Sequence, residues 1–389
     1  MSKPAEPFDD LSLDELRARK SAKWTGYGPD VLPAWVAEMD FPLAAPIARV
    51  LHAAIDASDT GYASPVEYGQ AFANFCIAEF GWAVGAKDVL AVADVMTGVR
   101  ELVQVIAKPG DRLMINPPVY PPFFDVARSA GLETAAVPLR HERMGAHDSW
   151  TLDLEAIERA YAQGVTLHLL CSPHNPTGTV HSRETLSSLA ALAATYGVTI
   201  LSDEIHAPLT HAGATHVPLA AVSEDGARHG IVLTSASKTW NLPGLKAAAI
   251  LATSEETRGM VRKLPVETPW HAGHLGILAA QAALREGAPW RARALATIDR
   301  NRLLLTELLA RDLPGVRYTP PQAGYLAWLD CTALGLGEDP AKVFLKKGRV
   351  ALSSGPMFGE PGKGYARLNL ATSRALLEEA VRRIASALA

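Results

Sequence analysis

The stretch TSASKTWNLPGLK, residues 234–246, sets Lys238 one residue after a serine and ahead of a Pro-Gly turn, just beyond the apolar run Ile231-Val232-Leu233. A lysine so placed admits three chemistries. One is a solvated loop amine, the ordinary fate of a single lysine. Another is the S-x-x-K of penicillin-recognising serine hydrolases, whose spacing Ser235 and Lys238 match. The S-D-N or Y-x-N and K-T-G elements which that class also needs are absent. The third is a Schiff-base amine, and it alone demands particular partners elsewhere in the chain.

Those partners occur in order, each after a β-rich run. Asp203 closes VTILSD, where a carboxylate is costly unless it meets a buried cation such as a protonated pyridine nitrogen. Asn175 lies in the turn-rich SPHNPTG, a loop able to aim a side-chain amide at a phenolic oxygen. Tyr120, in NPPVYPPF, is an aromatic on a proline-stiffened loop suited to stacking on a flat ring, with ordinary packing as its alternative. Thr97, Gly98 and Val99 stand where a helix is expected to open after a strand, so their backbone amides are candidate phosphate donors. Ser235, Ser237 and Lys246 would complete that cup. Together these are the groups that pyridoxal 5'-phosphate requires.

The elements that must position them follow from periodicity. Strands are predicted at 89–93, 112–115, 133–137, 166–171, 198–201 and 231–234, and intervening helices include 98–107 and 183–196. This is the pattern of a parallel sheet between helices, an α/β fold whose ligands bind at the carboxyl ends of the strands. Beyond about residue 288 the rhythm changes to a long Arg-rich helix at 290–311, an apolar run at 325–329, and helices at 341–347 and 375–388. The division expected is an N-terminal arm at 1–45 with one short helix at 12–20, a large domain at 46–287 and a small α+β domain at 288–389, the arm lying on the small domain.

Composition excludes several function classes. The 389 residues are 48% hydrophobic and 20% charged, with a net charge of −4, so neither a nucleic-acid partner nor a membrane-surface helix is expected, and a small-molecule ligand fits better. The charge-free segment 185–202 reads as a helix followed by a buried strand, not a membrane span. Cys76, Cys171 and Cys331 form no C-x-x-C pair, and buried thiols are expected with no metal site. The first residues lack the apolar stretch of a signal peptide, which makes the cytoplasm the expected location.

The ordered set SPHNPTG, SDEIH and SASKTWNLPGLK resembles the fold-type I pyridoxal-phosphate enzymes of the class I/II aminotransferase superfamily. PAWVAEMDFP at 33–42, TGYASP at 60–65, GAPW at 287–290, GYLAWLD at 324–330 and GPMFGEPGKGYARLNLATSR at 355–374 make it most similar to the MalY/PatB type of cystathionine β-lyase. The resemblance implies that Lys238 carries the cofactor as a Schiff base, Asp203 pairs with its ring nitrogen, Asn175 meets its phenolic oxygen and Tyr120 stacks on it. It implies that Arg367, in YARLN, clamps the substrate α-carboxylate. It also implies that Tyr62 reaches the phosphate of a neighbouring subunit, so that the enzyme is a homodimer with shared sites. Arg374 is either a second carboxylate contact or an ordinary helix-start arginine. Three positions depart from the aminotransferase pattern: His206 replaces a tyrosine and is a candidate contact near the cofactor oxygen, Trp240 stands where phenylalanine is common, and ATSR replaces a CPR-like ending.

Such a site would let Lys238 act as general base at the substrate Cα. A thiolate on Cβ could then leave, protonated by Tyr120 or Lys238, with pyruvate and ammonia as the other products. Reprotonation on the cofactor would instead give transamination. The expected function is therefore a C–S β-lyase acting on L-cystathionine or related cysteine S-conjugates. An aminotransferase is the alternative, and a protein that holds the cofactor but acts by binding a partner is the third.

Overall fold

The computed structural model describes residues 7–145 and 147–388. Residues 1–6, part of the stretch read above as lacking a signal peptide, lie outside the described residues. Seven strands build the central sheet: β1 (Val89–Val92), β2 (Arg112–Ile115), β3 (Glu133–Ala136), β4 (Val165–Cys171), β5 (Thr199–Asp203), β6 (Gly230–Thr234) and β7 (Ala248–Leu251). Their order across the sheet is β1-β7-β6-β5-β4-β2-β3. The run from β6 to β3 is parallel, while β7 is antiparallel to both β6 and β1. The sheet is thus mostly but not wholly parallel. Because β7 reverses direction, β1 runs the same way as β6, and the carboxyl ends of β1, β2, β4, β5 and β6 share one edge.

Burial explains why these segments are strands. All five residues of β5 and all four of β7 are buried, as expected of strands covered on both faces, which read as continuous apolar runs. The AAIL of β7 escapes periodicity because it is short and framed by a Pro-Gly turn and the polar segment Thr253-Ser254-Glu255-Glu256. Helices Arg183–Tyr196 and Val95–Ile106 pack on opposite faces, contributing Leu186 and Leu189 to one core cluster and Val99 and Leu102 to another. Helix Val95–Ile106 starts three residues before the position that periodicity indicated.

A second core gathers around the four-stranded sheet Arg317–Tyr318, Leu326–Asp330, Tyr365–Asn369 and Ser353–Ser354. Ile298 and Leu305 of the 25-residue helix Ala288–Asp312 enter it, as do Phe344, Leu377 and Ile384. Phe8, Leu32, Ala34, Met39 and Phe41 belong to the same cluster, and Leu32–Pro33 pairs in parallel with Val350–Ala351. The described part of the first forty residues thus packs against this sheet. The short helix at their start spans only Leu13–Arg17, capped by Ser12 and Glu15. All three cysteines are free and buried. Among the described residues, no helix is long and apolar enough to cross a membrane.

Candidate active site

A cavity of about 350 Å³ opens at the shared strand edge. Its lining includes Asp203 from the end of β5, Cys171 from the end of β4, Asn175 from the loop that follows, and Ser235, Ser237 and Lys238 from the turn after β6. Tyr120, His206, Lys246 and Arg367 join them. Strand register sets this convergence: Cys171 stands opposite Asp203, and Asp203 opposite Leu233. The loop carrying Asn175 is seated by Gly178, whose φ of +71° suits glycine and where a Cβ would lie 2.2 Å from Pro321.

Electrostatics in this cavity are those of enclosed charge. Burial raises the Asp203 carboxyl to about 7, against the opposing pull of the Ile205 backbone N–H and of Lys238. Burial lowers the Lys238 amine to about 8, assisted by the nearby Arg367 guanidinium. The Lys238 ammonium donates to the Ala37 carbonyl at 2.9 Å. His206 is buried and neutral, held down to about 3 by desolvation, and its Nδ1 has no partner. Burial also raises the Tyr120 phenol.

Arg367 arrives from the other sheet, on the fully buried strand Tyr365–Asn369. One terminal nitrogen donates to Asn175 Oδ1 at 3.0 Å and the other to the Trp35 carbonyl at 3.1 Å and Ser353 Oγ at 3.0 Å, which fixes the guanidinium plane and leaves Nε unpartnered. With its oxygen occupied, Asn175 has its amide N–H groups left to donate. Val36 and Ala37 close the cavity from the N-terminal arm.

Several expectations need correction. Thr97, Gly98 and Val99 do not line the cavity. Asp94 caps the helix by accepting the Thr97 N–H at 2.8 Å, and Gly98 N–H bonds the Asp94 carbonyl at 2.9 Å. The amides left without helical partners are those of Val95 and Met96, which do line it. Gly98 instead lets the helix approach the sheet, since a Cβ there would lie 3.1 Å from Leu233 and 3.2 Å from Val92. Val99 is core. Asp94, an N-cap residue type directly ahead of the apolar Val95 and Met96, is the signal that gives the right start.

Ser235 spends its hydroxyl on the Ala247 carbonyl at 2.7 Å, and Lys246 is held by Asp94 at 3.0 Å. Trp240 is a core residue bonded to the Gly287 carbonyl at 2.9 Å, so it does not shape the cavity. Arg374 lies outside it, paired with Glu378 at 2.9 Å at the start of its helix. Tyr62 is 87% exposed beside Trp270 and is not among the cavity residues. Asp94, Val95, Met96, Arg100, Val36 and Ala37 are cavity residues that sequence reasoning missed.

The donor set is complementary to pyridoxal 5'-phosphate: an amine for its aldehyde, a carboxylate whose raised pKa a ring cation would relieve, and unspent N–H groups and a lysine for phosphate. The fold and this set define an amino-acid-transforming enzyme, and the sequence profile described as aminotransferase class I and II matches residues 39–384. The chain belongs to that family. A Mycobacterium tuberculosis relative is 41% identical, covering 98% of each chain. The cystathionine beta-lyase of Corynebacterium glutamicum is 35% identical over 97% of this chain and 99% of its own. The solved structure of the PLP-bound C-S lyase from Staphylococcus hominis superposes with a TM-score of 0.87 at 26% identity, covering 100% of this chain and 99% of that one.

Proposed function

We propose that the chain is a pyridoxal 5'-phosphate-dependent C–S β-lyase that cleaves L-cystathionine or a related cysteine S-conjugate, with water, to a thiol, pyruvate and ammonia. One observation carries the reading: Lys238, Asp203 and Arg367 line one cavity. The relatives that bear lyase names support cleavage as the outcome.

Pyridoxal phosphate, when bound, takes up the electron pair left as the Cα proton departs. The rest is the work of this chain. Lys238, held near 8, has an unprotonated fraction at neutral pH and accepts the Cα proton. Arg367 receives the substrate carboxylate, its guanidinium plane already locked by Asn175, Trp35 and Ser353. Asp203 stays ionised against the cofactor ring cation, and Asn175 donates to the phenolic oxygen with neutral His206 close by. Tyr120 stacks on the ring. The amides of Val95 and Met96, with Ser237 and Lys246, hold phosphate. Tyr120 or protonated Lys238 supplies the proton that leaves with sulfur.

We further assign a homodimer. Tyr62 on Trp270, with Val66 and Val266 also largely exposed, presents apolar side chains that suit a second copy, and Tyr62 would reach that copy's phosphate. In this reading 46–287 and 288–389 are the large and small domains, and the arm lies on the latter.

The test is L-cystathionine with no keto acid present. Stoichiometric homocysteine, pyruvate and ammonia are expected, from a species that sediments as a dimer. Inert cystathionine, together with amino-group transfer that needs an added keto acid, would establish the aminotransferase instead.

A further inference from the structure

Four side-chain cations line the cavity: Arg100, Lys238, Lys246 and Arg367. Three are engaged within the chain. Lys246 is held by Asp94, Lys238 by the Ala37 carbonyl, and Arg367 by Asn175, Trp35 and Ser353. Arg100 is different: it is exposed, and among the described residues it has no hydrogen bond or ion pair. Its neighbour Glu101 is directed to His271 at 3.4 Å, and Asp94, the N-cap of the same helix, is committed to Thr97 and Lys246.

Arg100 lies four residues beyond Met96 on helix Val95–Ile106, so the two share a helix face and both reach the cavity. With Arg367 assigned to the α-carboxylate and the helix N-terminus with Lys246 to phosphate, the charge left over in the cavity lining is the planar fork of Arg100. Such a fork suits a carboxylate. We propose that Arg100 is a specificity-determining residue that reads a second carboxylate, carried on the thiol half of the substrate. The inference rests on the lyase reading above and deepens it: the preferred substrates are S-substituted cysteines whose leaving thiol is itself an acid.

The test compares S-(2-carboxyethyl)-L-cysteine with its neutral amide, S-(2-carbamoylethyl)-L-cysteine, in wild type, Arg100→Met and Arg100→Lys. Wild type should prefer the acid. Arg100→Met should raise KM for the acid about tenfold, the size of one charge-assisted contact at an exposed site. Its kcat, and its KM for the amide, should stay within about twofold, because a contact made equally in ground and transition states moves KM alone. Arg100→Lys should restore part of the preference, since it keeps the charge but loses the fork. Titrating cofactor-free Arg100→Met with pyridoxal phosphate, followed by visible absorption, should give an unchanged Kd.

An unchanged acid-to-amide preference in Arg100→Met would overturn the assignment. A weakened cofactor Kd with that preference intact would also overturn it, by giving Arg100 to the phosphate. If wild type cleaves neither compound and leaves cystathionine intact, the lyase reading falls and takes the inference with it. If wild type cleaves both and only the Arg100 result fails, the lyase reading stands.

Discussion

The two walls of the cavity are held by different means. On the central-sheet side, Asp203, Asn175 and Lys238 follow directly from β5, β4 and β6, and ladder register fixes where each begins. On the arm side, among the described residues, only Leu32–Pro33 is paired as a strand. Residues 36–40 are held by one backbone bond, from the Asp40 N–H to the Ala371 carbonyl at 2.9 Å, and otherwise largely by side chains. Asn369 donates to the Val36 and Glu38 carbonyls at 2.8 and 2.7 Å, and Asn241 exchanges two hydrogen bonds with Met39. The buried pair Lys23–Asp40, at 2.7 Å, anchors the end of the segment, with Trp24 donating to the same carboxylate. Chemistry is built on the wall whose backbone is over-determined, and closure on the wall that depends on a few polar contacts.

The sharpest test of this contrast is Lys238→Ala. Loss of the amine should cut turnover roughly a thousandfold or more and abolish the lysine-aldimine absorption band of the cofactor-loaded protein, while the sheet stays folded. An unchanged absorption band would remove Lys238 from the chemistry.

The arm should fail differently. Lys23→Met leaves Asp40 buried without its cation and should lower unfolding free energy by about 3–5 kcal/mol, read by urea denaturation. The double variant Lys23→Met/Asp40→Leu, which removes both charges, should recover most of that loss. A cost below about 1 kcal/mol for the single change would mean that the pair does not anchor the arm.

A smaller effect, on the strand wall, has a sign set by pH. The Asp203 carboxyl titrates at about 7 when folded, above its ordinary 3.8, because burial penalises the anion. The folded chain therefore holds a proton through that window which the unfolded chain has lost. The contribution of this group to stability is full below the unfolded value and falls as pH rises towards 7. Cofactor-free Asp203→Asn should be more stable than wild type by about 2–4 kcal/mol near pH 8 and no different below about pH 4. With cofactor the order should reverse, since the ring cation then has no counter-charge. Equal melting temperatures at both pH values would show that water reaches Asp203.

What could be read in advance divides along the same line. Lys238, Asp203 and Asn175 were legible because each lies at the end of an apolar strand or in the turn that follows it, and a parallel sheet brings all such positions to one edge. Arg100 carried no such mark, being one of many arginines on amphipathic helices. Periodicity sets the helix start three residues late because Gly98 reads as a phosphate-binding glycine, whereas it is small to fit against Leu233 and Val92.

The sequence alone determined the class of sheet, the edge where chemistry gathers and the amine, carboxylate and amide set there, since strand periodicity and local turn chemistry are properties of contiguous residues. Tertiary structure decided the rest. It committed Thr97 and Gly98 to the helix, set Trp240 in the core and brought Arg367 onto Asn175 across 192 residues of chain. It also laid the Ala37 carbonyl against Lys238 and left Arg100 unpaired at the cavity. These are outcomes of which buried groups find partners, a competition among residues far apart in sequence that no local pattern records.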